Sequence, residues 1–154
     1  MAEPITLFID ADACPVKDEC YRIASCYGLE VRVVANSFLR VPQSETIRLI
    51  VVSDGFDAAD NWIAEHADAR SIVVTADILL AERCLKAGAR VIAPTGKPFT
   101  MDSIGSQIAA RAIMADLRDT IVGGPQGGPP PFSKADRSRF LSALDNAVVA
   151  LSKS

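Results

Sequence analysis

Five short apolar runs punctuate the first two thirds of the chain: "ITLFI" (5–9), "EVRVVA" (30–35), "IRLIVVS" (47–53), "SIVVT" (71–75) and "ARVIA" (89–93). They are rich in β-branched residues. The first is continuous rather than alternating, as strands covered on both faces of a parallel sheet tend to be. Between the runs the period changes. Pro15 suits the first position of a helix running to about Tyr27 and closed by Gly28. Amphipathic helices are also predicted over 58–67 and 77–87, the latter stopped by Gly88. Strands alternating with helices of this length predict a parallel-sheet α/β domain whose crossovers are right-handed.

After Pro98 the pattern shifts. "MDSIGSQIAARAIMADLRD" predicts a helix, and "GGPQGGPPP" (123–131) a loop that can be neither regular element. "SKAD", Ser133 to Asp136, reads as a capping box opening a last helix over about 134–151. The nineteen or so residues after the Gly/Pro run cannot form a core alone, so the run is read as a surface loop or lid inside a single domain spanning 1–154. The core of that domain is placed at about 5–118. No internal repeat is visible.

Composition narrows the function classes. At 154 residues and 49% hydrophobic, one sizeable core is expected, since a chain of about this length buries roughly 70% of its unfolded surface. The net charge of −3 argues against a protein that simply coats nucleic acid. The charge is uneven: residues 1–104 carry 10 Lys and Arg against 15 Asp and Glu, and residues 105–154 carry 6 against 4. The four cysteines form no C-x-x-C pair and the only histidine is His66, so neither a disulfide framework nor a structural zinc site is expected. The opening "MAEPITLFID" has no basic region and too short an apolar run for a signal peptide or a membrane span. The expected location is the cytoplasm, with no membrane partner.

The acids carry the chemistry. Ligands of parallel α/β sheets sit at the carboxyl ends of the strands. Asp10 and Asp12 follow the first run, Asp54, Asp57 and Asp60 follow the third, and Asp77 follows the fourth. Asp57 and Asp60, three apart, share one helix face. Carboxylates converging there make a hard, oxygen-rich site suited to Mg²⁺ or Mn²⁺, of the kind that runs phosphodiester hydrolysis. Taken singly, Asp57 and Asp77 serve equally well as helix caps. One cap cannot explain the pair Asp10 and Asp12. Asp54, before Gly55, reads as a turn residue.

The segments "FIDADACPVKDE", "VVANS", "DGFDAADNWIAE", "VTADILLAERCLKAGARV", "IGSQIAARAIMADLR", "GGPQ" and "PFSKADRSRF" together resemble the YaiI/YqxD family of uncharacterised bacterial proteins, related to PIN-like nuclease folds. The likeness spans nearly the whole chain. It departs at Leu79, where the family pattern has proline, and in a longer glycine-proline loop. The resemblance implies a PIN-like three-layer α/β/α sandwich and a metal-dependent nuclease activity, with RNA favoured as substrate. Asp10, Asp60 and the "TAD" containing Asp77 match the PIN-like pattern and are the expected metal ligands. Asp12 and Asp57 are further catalytic acids, as second ligands or positioners of water.

Other features weigh less. Arg111, Arg137 and Arg139 would hold phosphates if their helices face the carboxylate edge, and a solvated helix face or pairing with Asp116 and Asp136 is the competing reading. Cys14 stands at a helix start, which lowers a thiol pKa, yet nearby acids oppose a thiolate; a small buried thiol is expected. His66 is expected as a charge at a helix C-terminus. "IDADAC" also resembles the D-x-D motif of haloacid-dehalogenase-like phosphohydrolases, with Cys14 in place of Thr or Val. A non-catalytic PIN-like module binding RNA or a protein is the remaining alternative.

Overall fold

The structure is a computed structural model and describes residues 4–11, 14–53, 58–106, 108–109 and 132–153. In chain order the strands are β1 (Thr6–Asp10), β2 (Glu30–Ala35), β3 (Ile47–Val51), β4 (Ser71–Val74), β5 (Arg90–Ile92) and β6 (Pro98–Phe99). The helices are α1 (Lys17–Tyr27), α2 (Ala58–His66), α3 (Ile78–Lys86), α4 (described over 101–106) and α5 (Lys134–Ser152). They build an α/β fold on one six-stranded sheet in the order β3-β2-β1-β4-β5-β6. The first five strands are parallel and β6 returns antiparallel on β5.

Alternation along β1 explains the three layers. Leu7 and Ile9 point into a core shared with α1 and α5, through Cys20, Ile23, Phe140, Leu144 and Val148. Phe8, between them, points to the opposite face, where Ala59 and Ile63 of α2 and Leu80, Ala81 and Cys84 of α3 cover the sheet. Both faces are therefore dry, which is why the strands read as continuous apolar runs. Right-handed crossovers impose the same division. A chain stepping from β1 to β2 and one stepping from β4 to β5 move in opposite directions, so α1 and α3 must lie on opposite faces.

Element ends show where local chemistry overrode the pattern. The first helix begins at Lys17, with Pro15 and Val16 held in a turn rather than as its first residues. Gly28 closes it in the left-handed region, φ 68°. The third strand stops at Val51, two residues short of the run that suggested it. Strand β6 follows no pattern in the sequence: it has two residues, one of them a proline at the sheet edge. The capping box at α5 is present as read, Ser133 accepting from the Asp136 N–H and Asp136 accepting from the Ser133 N–H. The Gly/Pro run at 123–131 and most of the preceding helical stretch lie outside the described residues. Among the described residues, no helix is long and apolar enough to cross a membrane.

Candidate active site

Strand order places a topological switch between β1 and β4. From β1 the chain leaves toward β2 on one side, and β4 opens the other side of the sheet. At such a point the two outgoing connections diverge to opposite faces, and a crevice opens beyond the carboxyl ends. Asp10 is the last residue of β1 and Thr75 the first beyond β4. Ile9 pairs with Val74, so Asp10 and Thr75 meet side by side, one step further along the same register. Thr75 is 2% exposed, and its Oγ1 donates to Asp10 Oδ2 at 2.8 Å.

The same hydroxyl accepts from the backbone N–H of Asp77 at 3.0 Å. Asp77 in turn caps α3, its Oδ1 accepting from the N–H groups of Leu79 at 2.9 Å and Leu80 at 3.2 Å. The cap reading of Asp77 therefore holds, and one of its oxygens is committed to the helix start. Asp10, Thr75 and α3 form one hydrogen-bonded chain. Alternation puts Asp10 on the Phe8 face, the face covered by α2, whose first turn carries Asp60. Burial lifts the Cys84 thiol to about 12; the Arg83 charge opposes this, and those of Asp60 and Asp10 add to it. Arg83 ties the two helices together, its Nη1 donating to Asn61 Oδ1 at 2.8 Å.

Val34 of β2 pairs with Asp10, and Asn36 stands just past the end of β2, two residues on. Among the described residues its Oδ1 is buried with no hydrogen-bond partner. A buried orphan acceptor calls for a ligand, a water or a cation. Neither Thr75 nor Asn36 was singled out as a site residue in the sequence. The signal was present in "TAD" and "VVANS", but a threonine ending a strand looks like an ordinary β-former.

The donor set is oxygen throughout, which fits Mg²⁺ or Mn²⁺ in chemistry. Among the described residues, no three or more His, Cys, Asp or Glu side chains stand together as a group able to hold a metal. Asp10, Asp60 and Asp77 thus do not make a three-carboxylate cage. A hydrated Mg²⁺ needs only one or two carboxylates beside substrate phosphates. Asp12, Asp54 and Asp57 lie outside the described residues.

The arginines go elsewhere. The guanidinium of Arg137 donates through Nη1 to Pro15 O at 2.8 Å and Glu19 Oε1 at 3.1 Å, and lies 5.0 Å from the Phe132 ring centre. Arg139 pairs with Asp136. Both belong to α5, on the face opposite α2 and α3, so each is engaged in holding the fold. Arg111 lies outside the described residues. His66 stacks on Trp62, ring centres 3.9 Å apart, with Nδ1 2.7 Å from the Trp62 carbonyl. A cavity of about 690 Å³ opens beside β5, β6 and α5, lined by Leu85, Val91, Phe99 and Ala147 among others, and none of the candidate acids borders it.

Cys14 is buried, as its residue type suggested, but the push of the nearby acids does not decide its thiol. The Cys20 side chain hydrogen-bonds to it and pulls it below the ordinary thiol range; the Val16 N–H and the Lys17 charge act in the same direction. Burial and Asp10 oppose this, Asp10 least of all.

A family model described as "Uncharacterized BCR, YaiI/YqxD family" matches residues 8–150. A relative from Sphingopyxis alaskensis, named UPF0178 protein, is 65% identical over 153 residues, 99% of this chain and 98% of the relative. Relatives of the same name from Bradyrhizobium and Nitrobacter winogradskyi are 56% identical over 145 residues and 57% identical over 144; these cover 94% of this chain in each case, and 87% and 90% of the relatives. No solved structure matches the chain.

Proposed function

This chain belongs to the YaiI/YqxD family, and from the chemistry of its sheet edge we propose a Mg²⁺- or Mn²⁺-dependent phosphodiesterase acting on RNA. The observation that supports this reading is a single one. A carboxylate, Asp10, stands at the topological switch point, held by a buried hydroxyl, with an orphaned amide oxygen just past the end of the neighbouring strand.

Asp10 and Asp60 would hold the cation, with Asp77 fixing the α3 start beside them and Asp12 and Asp57 serving as further acids. When bound, such a cation activates water and offsets charge on the phosphate oxygens. Thr75 keeps Asp10 in one rotamer, so that ordering is complete before a ligand arrives. Asn36 Oδ1 would accept from a water or a ribose hydroxyl. The preference for RNA and the PIN-like assignment come from the likeness of the acid pattern to PIN-like nucleases, and α/β topology alone does not dictate either.

The test is Asp10→Asn, measured by melting temperature with and without Mn²⁺ and by cleavage of an end-labelled single-stranded RNA. The wild type should be stabilised by Mn²⁺ and cleave. The variant should stay folded, lose cleavage and gain less from Mn²⁺, because binding to the native state raises stability in proportion to the logarithm of ligand over Kd. Hydrolysis of a small phosphomonoester with a covalent adduct on Asp10 would replace the proposal with an aspartyl phosphohydrolase. A wild type that binds RNA but shows neither Mn²⁺ stabilisation nor cleavage would leave a binding module.

A further inference from the structure

The cavity of about 690 Å³ beside β5, β6 and α5 takes no part in the hydrolysis proposed above, and its origin lies in how the sheet is covered. On the side of α1 and α5, the buried core reaches β5 at Ile92 and, among the described residues, takes in nothing of β6. Small side chains on α5 leave the space beyond Ile92 open. Ala143, Ala147 and Ala150 line it on one stripe, next to the Leu144 and Val148 that fill the core. At 1.5 Å per residue this wall is about 10 Å long.

Polarity is gathered at one end of that length. Arg70, the residue before β4, donates through Nη1 to Leu151 O at 2.8 Å, so the last turn of α5 lies at the start of the strands. Arg90 begins β5 at the same level, opposite Ile72 of β4, and therefore stands at the Ala150 end. Alternation puts Arg90 on the face of Ile92, the face that α5 covers. Val91 pairs with Phe99, so Thr100 stands opposite Arg90 one step further on. Arg90 is exposed, and among the described residues no carboxylate pairs with it. No Asp or Glu lines the cavity. An apolar length thus ends at a guanidinium whose charge nothing in the described lining offsets.

We propose that this cavity binds a free medium-chain fatty acid, its acyl chain along the alanine wall of α5 and its carboxylate on Arg90. The volume falls within the roughly 300–1,000 Å³ of small-molecule sites. Charge complementarity selects the occupant. The guanidinium fork matches a planar carboxylate with two parallel N–H···O bonds, and the walls take the chain out of water. An uncharged chain leaves the guanidinium without its anion, and a cationic head group is repelled by it. A compact anion such as inorganic phosphate would leave the alanine wall bare. None of the carboxylates at the carboxyl edge of the sheet borders the cavity, so the site stands independently of the proposed hydrolysis.

The test is calorimetric titration of the intact protein with octanoate, octanol and octylammonium, each below its micelle concentration and without divalent cations. Octanoate should bind saturably, one molecule per chain, at least about tenfold tighter than octanol, as expected for a hydrogen-bonded charge pair. Octylammonium should bind no tighter than octanol. Arg90→Gln should bring octanoate to within about threefold of octanol. Ala147→Leu fills the groove and should abolish octanoate binding. Ala150→Leu, at an exposed position that keeps the fold, should weaken octanoate at least about tenfold, and melting curves show that each variant tested is folded. Absence of saturable octanoate binding overturns the proposal. So does octanol or octylammonium binding as tightly as octanoate, or octanoate binding that the folded Ala150→Leu protein retains in full.

Discussion

Replacing Thr75 with valine keeps the shape of a buried side chain and removes only its hydroxyl, which makes it the sharpest probe of the sheet edge. Two bonds go with that hydroxyl: the one donated to Asp10 Oδ2 at 2.8 Å and the one accepted from the Asp77 N–H at 3.0 Å. A hydrogen bond to a charged group contributes about 1.5–3 kcal/mol. The added methyl in a site 2% exposed returns part of this through apolar burial, about 0.8 kcal/mol. The net loss should be about 2 kcal/mol, or roughly 4–8 °C in Tm for a chain of this length. Because a misplaced methyl or a shifted backbone could mimic the effect, the assay is a double-mutant cycle in urea with Asp10→Asn. Coupling of about 1 kcal/mol or more between the two sites would place the loss in the Thr75–Asp10 bond. Additive effects, within about 0.5 kcal/mol, would refute the account, as would a Thr75→Val protein as stable as the wild type.

Two glycines separate backbone strain from collision. Gly28 at φ 68° has open space where a Cβ would stand, so Gly28→Ala should cost about 1 kcal/mol in urea unfolding. Gly96 at φ 91° would place a Cβ 2.6 Å from the Arg139 carbonyl carbon of α5, so Gly96→Ala should cost roughly 2–5 kcal/mol, and equal losses at the two sites would sink the reasoning. The Asp136 carboxyl is held below its ordinary range by the Ser133 N–H and hydroxyl, then by Arg139. Its contribution to stability is therefore full above the unfolded value near pH 4 and is lost as pH falls through the lower folded value. The stability gap between wild type and Asp136→Asn should be flat above about pH 4 and close below it; a gap that widens in acid would contradict the capping box.

How much of this was legible in the sequence depends on the range of the forces involved. The five parallel strands were readable because burial on two faces leaves runs with no polar alternation, and "SKAD" was readable because a capping box is local to four residues. Pro15 misled by two residues: it fits a helix start, but here the turn through Pro15 and Val16 is anchored by Arg137 from α5, 122 residues away. Strand β6 exists only because β5 offers an unpaired edge, which no two-residue pattern announces. For the arginines of "DRSRF" the sequence leaves phosphate binding and pairing with Asp136 both open, and the packing of α5 on the α1 side gives Arg139 its Asp136 and Arg137 the Pro15 carbonyl and Glu19. At Cys14, Asp10 does push the thiol up, as the nearby acids suggested, but Cys20, the Val16 N–H and Lys17 together pull it further down. Short-range hydrogen bonds beat Coulomb forces acting over several ångströms.

At Asp77 the cap reading of an acid after a strand holds, and the cap reaches the sheet edge through the backbone. A helix cap fixes a carboxylate by the N–H groups of the next turn, and in doing so fixes the backbone before it. Here that backbone includes the Asp77 N–H, which holds Thr75, which holds Asp10. The start of α3 is therefore mechanically part of the sheet edge, although its carboxylate is turned to its own helix. A ligand that draws on Asp10 pulls on a bond shared with a helix N-terminus, and fraying of that helix would loosen Asp10 without touching it. Spacing of the type T-x-D is suited to this for a physical reason. The hydroxyl must lie level with the neighbouring strand end while the carboxylate, two residues on, caps the helix that covers it, and one intervening residue is the shortest connection that lets both occur.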